Sequence, residues 1–292
     1  MTDLQLVGAA LGIGGLDKRS VDAADAVQRS QYFNLLNQNG IDAQWLTTIR
    51  ENATSDKLET IHEFCKDLAN TTEKLIKEKQ KFCVIGGDHS LAVGTWSGVE
   101  HALEPHGSLG LIWIDAHKDA HTFETSETGN IHGMPVASLL GHGDDKLTKI
   151  LSDHTKLKPE NLCIIGARCY ELAEHELLES LNVKVYHMPE VLERGVVEVL
   201  EEARQLVSQN TAGYGISLDL DGIDPEDAPG VGTPEEGGIP AKDLLKAFSH
   251  INNDANLVGF EIVEYNPHLD IDHKTEKLII ELIAALTKGK QL

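Results

Sequence analysis

Basic side chains, cysteine and long apolar runs are scarce in this chain of 292 residues, and each scarcity closes off a class of function. Against 47 Asp and Glu stand only 25 Lys and Arg, a formal net charge of −22. A surface of that sign disfavours nucleic acid and anionic membranes and favours cations, whether metal ions or cationic metabolites. The four cysteines, Cys65, Cys83, Cys163 and Cys169, form no C-x-x-C pair and lie mostly in apolar stretches. That usage fits reduced thiols in the cytoplasm rather than a disulfide framework. The apolar stretch Leu4 to Ile13 follows Asp3, has no basic residue before it and is too short to span a bilayer, so it reads as a first strand. A nucleotide loop is missing as well. The run GGDHS at 86–90 matches neither G-x-G-x-x-G nor G-x-x-x-x-G-K-[ST], and Gly12-Ile13-Gly14-Gly15 lacks the third glycine. With no internal repeat, linker or low-complexity segment, residues 1–292 are expected to form one domain.

What is present alternates. Short apolar runs at Gln5–Ala9, Ala43–Leu46, Phe82–Ile85, Leu109–Ile114, Leu162–Ile165, Val183–Tyr186, Tyr214–Leu218 and Leu257–Ile262 have the length and β-branched content of buried strands. Between them, Val21–Leu36, Lys57–Lys77, Leu91–Leu103, Glu171–Leu181, Val191–Val207, Lys242–Ile251 and Glu276–Leu286 carry a helical apolar stripe. The expected fold is α/β: a mostly parallel sheet of about eight strands covered on both faces, with its site at the strands' carboxyl ends. An eight-fold closed barrel fits the strand count too, but the long loops gather after Asp115 and Asp219 rather than being spread evenly.

The polar residues gather where strands end. The run Leu109 to Ile114 leads straight into Asp115, His117 and Asp119, whose alternate spacing in an extended segment sends three donors to one side. Alone, that run equally fits a polar loop capping the next helix. His89 follows the strand at Phe82–Ile85 through two glycines, and Asp219 and Asp221 leave the strand at Tyr214–Leu218. Leu218 and Leu220 flank those acids, so the carboxylates sit at the edge of the core, where uncompensated charge costs several kcal/mol. Two imidazoles and four carboxylates exceed what one ion needs. Nitrogen and oxygen donors without thiolate suit a pair of divalent metals, manganese over structural zinc, and such a pair activates water for hydrolysis.

The motifs GGDHS, DAHKDAH, SLDLDGIDP and GFEIVEYNP, in this order from Phe82 to Asp270, resemble those of the arginase/agmatinase ureohydrolases. The resemblance implies a three-layer αβα sandwich, two Mn2+ per chain and hydrolysis of a guanidino group to urea and an amine. It assigns His89, Asp115, Asp119 and Asp219 to one ion or the bridge, and His117, Asp115, Asp219 and Asp221 to the other. Asp119 would also orient the bridging hydroxide. The loop GNIHGMP resembles the arginase branch, which implies L-arginine cleaved to L-ornithine, with His132 as proton shuttle and Glu264 receiving the guanidinium. His121, Thr128, Asn130, Glu171 and Thr233 would meet the rest of the substrate, and Arg168 marks a family segment. A homo-oligomer acting on a small cationic guanidino compound, with neither nucleic acid nor membrane as partner, completes the expectation.

Three places depart from that family's pattern: His121 stands where arginases mostly have asparagine, Glu235 and Glu236 replace residues usually apolar, and GLDKRSVDAADA lacks the usual Gly-Pro. Agmatine, guanidinobutyrate or formiminoglutamate are the rival substrates. A non-catalytic metal-binding regulatory protein would show a missing ligand or shuttle, and none is missing.

Overall fold

A computed structural model describes residues 2–52, 54–252 and 254–287. Eight strands form one open sheet in the order β2-β1-β3-β8-β7-β4-β5-β6. They are β1 (Thr2–Ala10), β2 (Ile41–Arg50), β3 (Phe82–Gly86), β4 (Ser108–Ile114), β5 (Leu162–Ala167), β6 (Lys184–His187), β7 (Thr211–Asp219) and β8 (Leu257–Val263). Every neighbouring pair is parallel. The ends do not meet, so the barrel is excluded: β2 and β6 are free edges.

Alternation of side chains across each strand builds two cores. Cys83, Ile85, Ile112, Ile114, Cys163 and Ile165 face one side, packed with the helices Val196–Ser208, Ala241–Ile251 and Lys274–Leu286. Phe82, Val84, Leu111, Trp113, Leu162 and Ile164 face the other, under the helices Lys57–Lys77 and Ala92–Leu103. The three layers follow from burial on both faces of a parallel sheet. The helix Lys57–Lys77 starts where Asp56 accepts from Leu58 N and Glu59 N, and it buries Ile61, Phe64, Cys65, Leu68 and Leu75. The next helix approaches it so closely that a Cβ on Gly98 would lie 2.1 Å from the Ala69 carbonyl oxygen.

Two expected helices are broken. Val27 and Leu36 reach the same core although they stand nine residues apart, about two and a half turns at 3.6 residues per turn, which would put them on opposite faces of one helix. The chain instead forms Ala23–Gln28 and Asn34–Gln38 with a turn between. The stretch expected as Val191–Val207 splits into Met188–Arg194 and Val196–Ser208 at Gly195, whose φ of 87° no helix accepts.

Chain order along the sheet positions the site. After β3 the chain crosses over β8 and β7 to reach β4, so the carboxyl ends of these four central strands open into one crevice.

Candidate active site

Asp115 follows β4 directly, Asp219 closes β7, Asp221 lies in the turn Leu220–Gly222 beyond it, and Glu264 follows β8. His89 comes from the corner after β3, where Asp88 accepts from Ser90 N at 3.0 Å and from Gly14 N at 2.8 Å. These elements bring the residues into two groups. His89 Nδ1 lies 3.4 Å from Asp115 Oδ2, 3.1 Å from Asp119 Oδ2 and 3.0 Å from Asp219 Oδ2. His117 Nδ1 lies 3.4 Å from Asp115 Oδ1 and 3.1 Å from Asp221 Oδ2. Asp115 belongs to both groups and gives one oxygen to each.

The segment that carries Asp115, His117 and Asp119 is not extended, contrary to the alternate-spacing expectation. His117 N folds back onto Asp115 Oδ1 at 2.6 Å, a side-chain turn that a strand does not make. Asp119 then takes a φ of 49° and is pinned by Val136 N donating to its carbonyl at 2.9 Å. This bend, not strand alternation, swings Asp119 back to His89.

Burial sets the electrostatics. His89, Asp115, Asp119, Asp219 and Asp221 are all buried. Burial pushes the Asp219 carboxyl well up, reinforced by the charges of Asp221 and Asp115. Asp119 is pushed to about 7 by burial and by Asp115. Burial works against charge on His89 and His117, yet the surrounding carboxylates outweigh it and raise both. The four carboxylates thus demand positive charge, and the two imidazoles that face them are placed to carry it.

Behind His89 lies a polar chain that the sequence reading missed. Ser217 Oγ donates to Glu261 Oε1 at 2.7 Å, which Trp96 Nε1 also meets at 2.6 Å. The Ser217 oxygen is therefore left to accept from His89 Nε2–H at 2.8 Å. That keeps a proton on Nε2 and turns Nδ1 toward Asp115, Asp119 and Asp219. His89 Nδ1 is buried with no hydrogen-bond partner among the described residues. Trp113 stacks on the His89 ring at 4.0 Å and donates Nε1–H to Asp115 Oδ2 at 2.8 Å.

The groups open into a cavity of 230 Å³ lined by His117, Asp119, Asp219 and Asp221 at its floor and by His121, Thr128, Asn130, His132, Glu171 and Thr233 around it. Glu264 stands behind His132: its Oε1 accepts from His89 N at 2.8 Å and lies 3.1 Å from His132 Nδ1. Burial lowers the His132 pKa and Glu264 outweighs it, so the imidazole is pushed up to about 9. Thr233 Oγ1 donates to Asp221 Oδ2 at 2.8 Å, a bond to the floor of the cavity that the sequence does not reveal. At the rim, His121 Nε2 meets Glu171 Oε2 at 2.7 Å and Glu174 Oε2 at 3.3 Å, with Nδ1 3.1 Å from Thr125 Oγ1. Glu174 first and Glu171 second raise its pKa to about 9. Thr128 Oγ1 accepts from Asn130 N at 3.2 Å, shaping the loop. Arg168 holds the loop opposite, donating to the carbonyls of Asp221 at 2.7 Å and Glu235 at 2.8 Å.

Two imidazole–carboxylate groups sharing an aspartate at the carboxyl edge of an open parallel sheet define a metal-dependent hydrolase of the α/β class. The chain belongs to the Arginase family, whose model matches residues 2–288. It is 38% identical over 297 residues to the arginase of Bacillus subtilis (strain 168), covering 99% of this chain and 98% of that one. To the arginase of Brevibacillus brevis it is 36% identical over 299 residues, with 99% of each covered. A crystal structure of arginase from Bacillus subtilis superposes with a TM-score of 0.92 at 36% identity, over 100% of both chains. The protein is thus a ureohydrolase, from a family that depends on a binuclear metal centre, and it carries candidate ligand groups for one.

Proposed function

We propose that the protein hydrolyses L-arginine to L-ornithine and urea with two manganese ions per chain. The observation that carries this reading is the pair of donor groups joined through Asp115. A cation fits there because His89 Nδ1 is buried without an aligned hydrogen bond among the described residues and four buried carboxylates crowd around two imidazoles. His89, Asp115, Asp119 and Asp219 would hold one ion, and His117, Asp115, Asp219 and Asp221 the other. Both donor sets are nitrogen and oxygen without thiolate, which favours manganese. When bound, the ions supply a water of lowered pKa as nucleophile near neutral pH.

The chain's own residues do the rest. Asp119, close to His89 and lining the cavity, has a carboxylate suited to orienting the attacking water. Glu264, behind His132, would supply negative charge to the side of the cavity that receives the guanidinium. His132, kept protonated by Glu264, gives a proton to the leaving amine. His121, Thr128, Asn130 and Glu171 line the cavity where the amino-acid end of the substrate would lie, while Thr233 lies at its floor against Asp221. One domain spanning 1–292 is supported by the single sheet with a core on each face. We infer a cytoplasmic homo-oligomer without nucleic-acid or membrane partners. All four cysteines are free, the net charge is −22, and among the described residues no helix is long and apolar enough to cross a membrane.

The test is urea release from arginine, agmatine, guanidinobutyrate and formiminoglutamate by metal-depleted protein reloaded with manganese. Arginine should give the highest kcat/KM. Preference for a substrate without the amino-acid end would assign the protein to another ureohydrolase, and silence on all four would favour a metal-binding regulator.

A further inference from the structure

We propose that Cys169 and Glu235, sharing the His117 imidazole with the donor group on Asp115, form a further site for a thiophilic divalent ion of the zinc and cadmium class, and that its occupancy inhibits the enzyme. One donor atom from each residue lies within 4.8 Å of the other two. Two backbone features bring them together. Arg168 N and Cys169 N both donate to the Ala116 carbonyl, at 2.8 and 3.0 Å, which seats the thiol beside His117. Arg168 also grips the carbonyls of Asp221 and Glu235, and so draws the loop carrying Glu235 against the same imidazole. Neither Cys169 nor Glu235 lines the cavity, so the ion would sit beside the substrate chamber rather than inside it.

The donors choose the ion. Thiolate, imidazole and carboxylate with one open position match tetrahedral zinc or its heavier congener, whereas manganese prefers harder sets. On binding, the S–H bond is replaced by a metal–sulfur bond and the proton leaves to solvent, with no change of oxidation state. No other thiol competes: Cys65, Cys83 and Cys163 are each 0% exposed, so Cys169 is the thiol that solvent ions meet. Because His117 belongs to both this group and the one containing Asp115 and Asp221, an ion beside Cys169 takes or reorients an imidazole that catalysis needs. The inhibitory half of the proposal rests on the metal assignment above.

The experiment titrates cadmium chloride into the manganese-loaded protein while recording ultraviolet thiolate-to-cadmium charge-transfer absorption and urea release. Absorption should rise to one equivalent per chain, with activity falling in parallel. Cys169→Ser should lose the absorption, keep basal urea release and move the inhibition midpoint upward by at least the roughly 10- to 100-fold that losing even an outer-sphere partner costs. Glu235→Gln should keep the absorption with a weaker midpoint. No charge-transfer absorption in the wild type, or an inhibition midpoint unchanged in Cys169→Ser, would overturn the proposal. The absorption reads the site whatever the substrate, so failure of the arginine reading is distinguishable from failure of this one.

Discussion

Ser217→Ala isolates the polar chain behind His89. Removing the hydroxyl leaves His89 Nε2–H without its acceptor at 2.8 Å and removes one of the two donors to Glu261 Oε1. A buried donor left unpaired costs about 1–3 kcal/mol. The ring has an escape, because it can give up the Nε2 proton and keep one on Nδ1 facing Asp219 at 3.0 Å. That tautomer relieves the metal-free protein but blocks the nitrogen that a cation requires. The loss should therefore fall on metal affinity more than on the metal-free fold. Losing an outer partner of a ligating histidine typically weakens binding by about 10- to 100-fold, equivalent to roughly 1.4–2.7 kcal/mol. Only one ion should suffer, since Asp221 and His117 do not contact Ser217. Manganese titration against a competing chelator, followed by calorimetry, should show one site weakened and one unchanged. Equal weakening at both sites, or none, would refute the argument that Ser217 sets the His89 tautomer.

Chelation should silence urea release and manganese should restore it, with a stabilisation of about 2.7 kcal/mol at a hundredfold excess over Kd, read from Tm. His132→Asn should retain two manganese by elemental analysis while kcat falls about 10²- to 10⁴-fold, and an unchanged kcat would remove His132 from proton transfer. The raised pKa of His121 means that its pairing with Glu174 and Glu171 stabilises the fold fully below about 6.5, the reference value, and is lost as pH rises through about 9. The Tm gap between wild type and His121→Ala should thus be widest in mild acid and close by pH 9 to 10. The same variant should raise KM for arginine and leave agmatine unaffected; an equal effect on both substrates would mean that His121 does not meet the amino-acid end. Gly98→Ala should lower Tm, because its Cβ would press to 2.1 Å from the Ala69 carbonyl oxygen and force the two helices apart.

All eight strands were legible in the sequence because a strand buried on both faces writes a continuous apolar run. Their lengths were less so. Only Ala43–Leu46 stands out in β2, yet the strand pairs with β1 from Ile41 to Arg50, because an edge strand with half-exposed side chains needs no apolar sequence to keep its hydrogen bonds. The broken helices were hidden for a different reason. Periodicity reports which residues are apolar, but not that Val27 and Leu36 must reach one core from opposite phases.

The site divides along the same line between residue type and residue environment. His89, Asp115, His117, Asp119, Asp219 and Asp221 were readable because charged donors at the ends of apolar runs have few uses other than chemistry. Glu261 and Ser217 carried a similar sign, polar residues inside apolar strands, but their meaning depends on β7 lying beside β8, an adjacency that chain order does not disclose. Lys118 shows how far type misleads. Lysine is rarely fully buried, yet this one is 0% exposed, with Nζ 3.4 Å from the Tyr170 ring centroid and 3.0 Å from His175 Nδ1. An ammonium so placed, with an aromatic face and an imidazole nitrogen as partners, ties the turn carrying His117 and Asp119 to the segment carrying Glu171 and Glu174. Lys118 thus works beside the bonds from Ala120 N and His121 to Glu174 in holding the floor of the cavity to its rim.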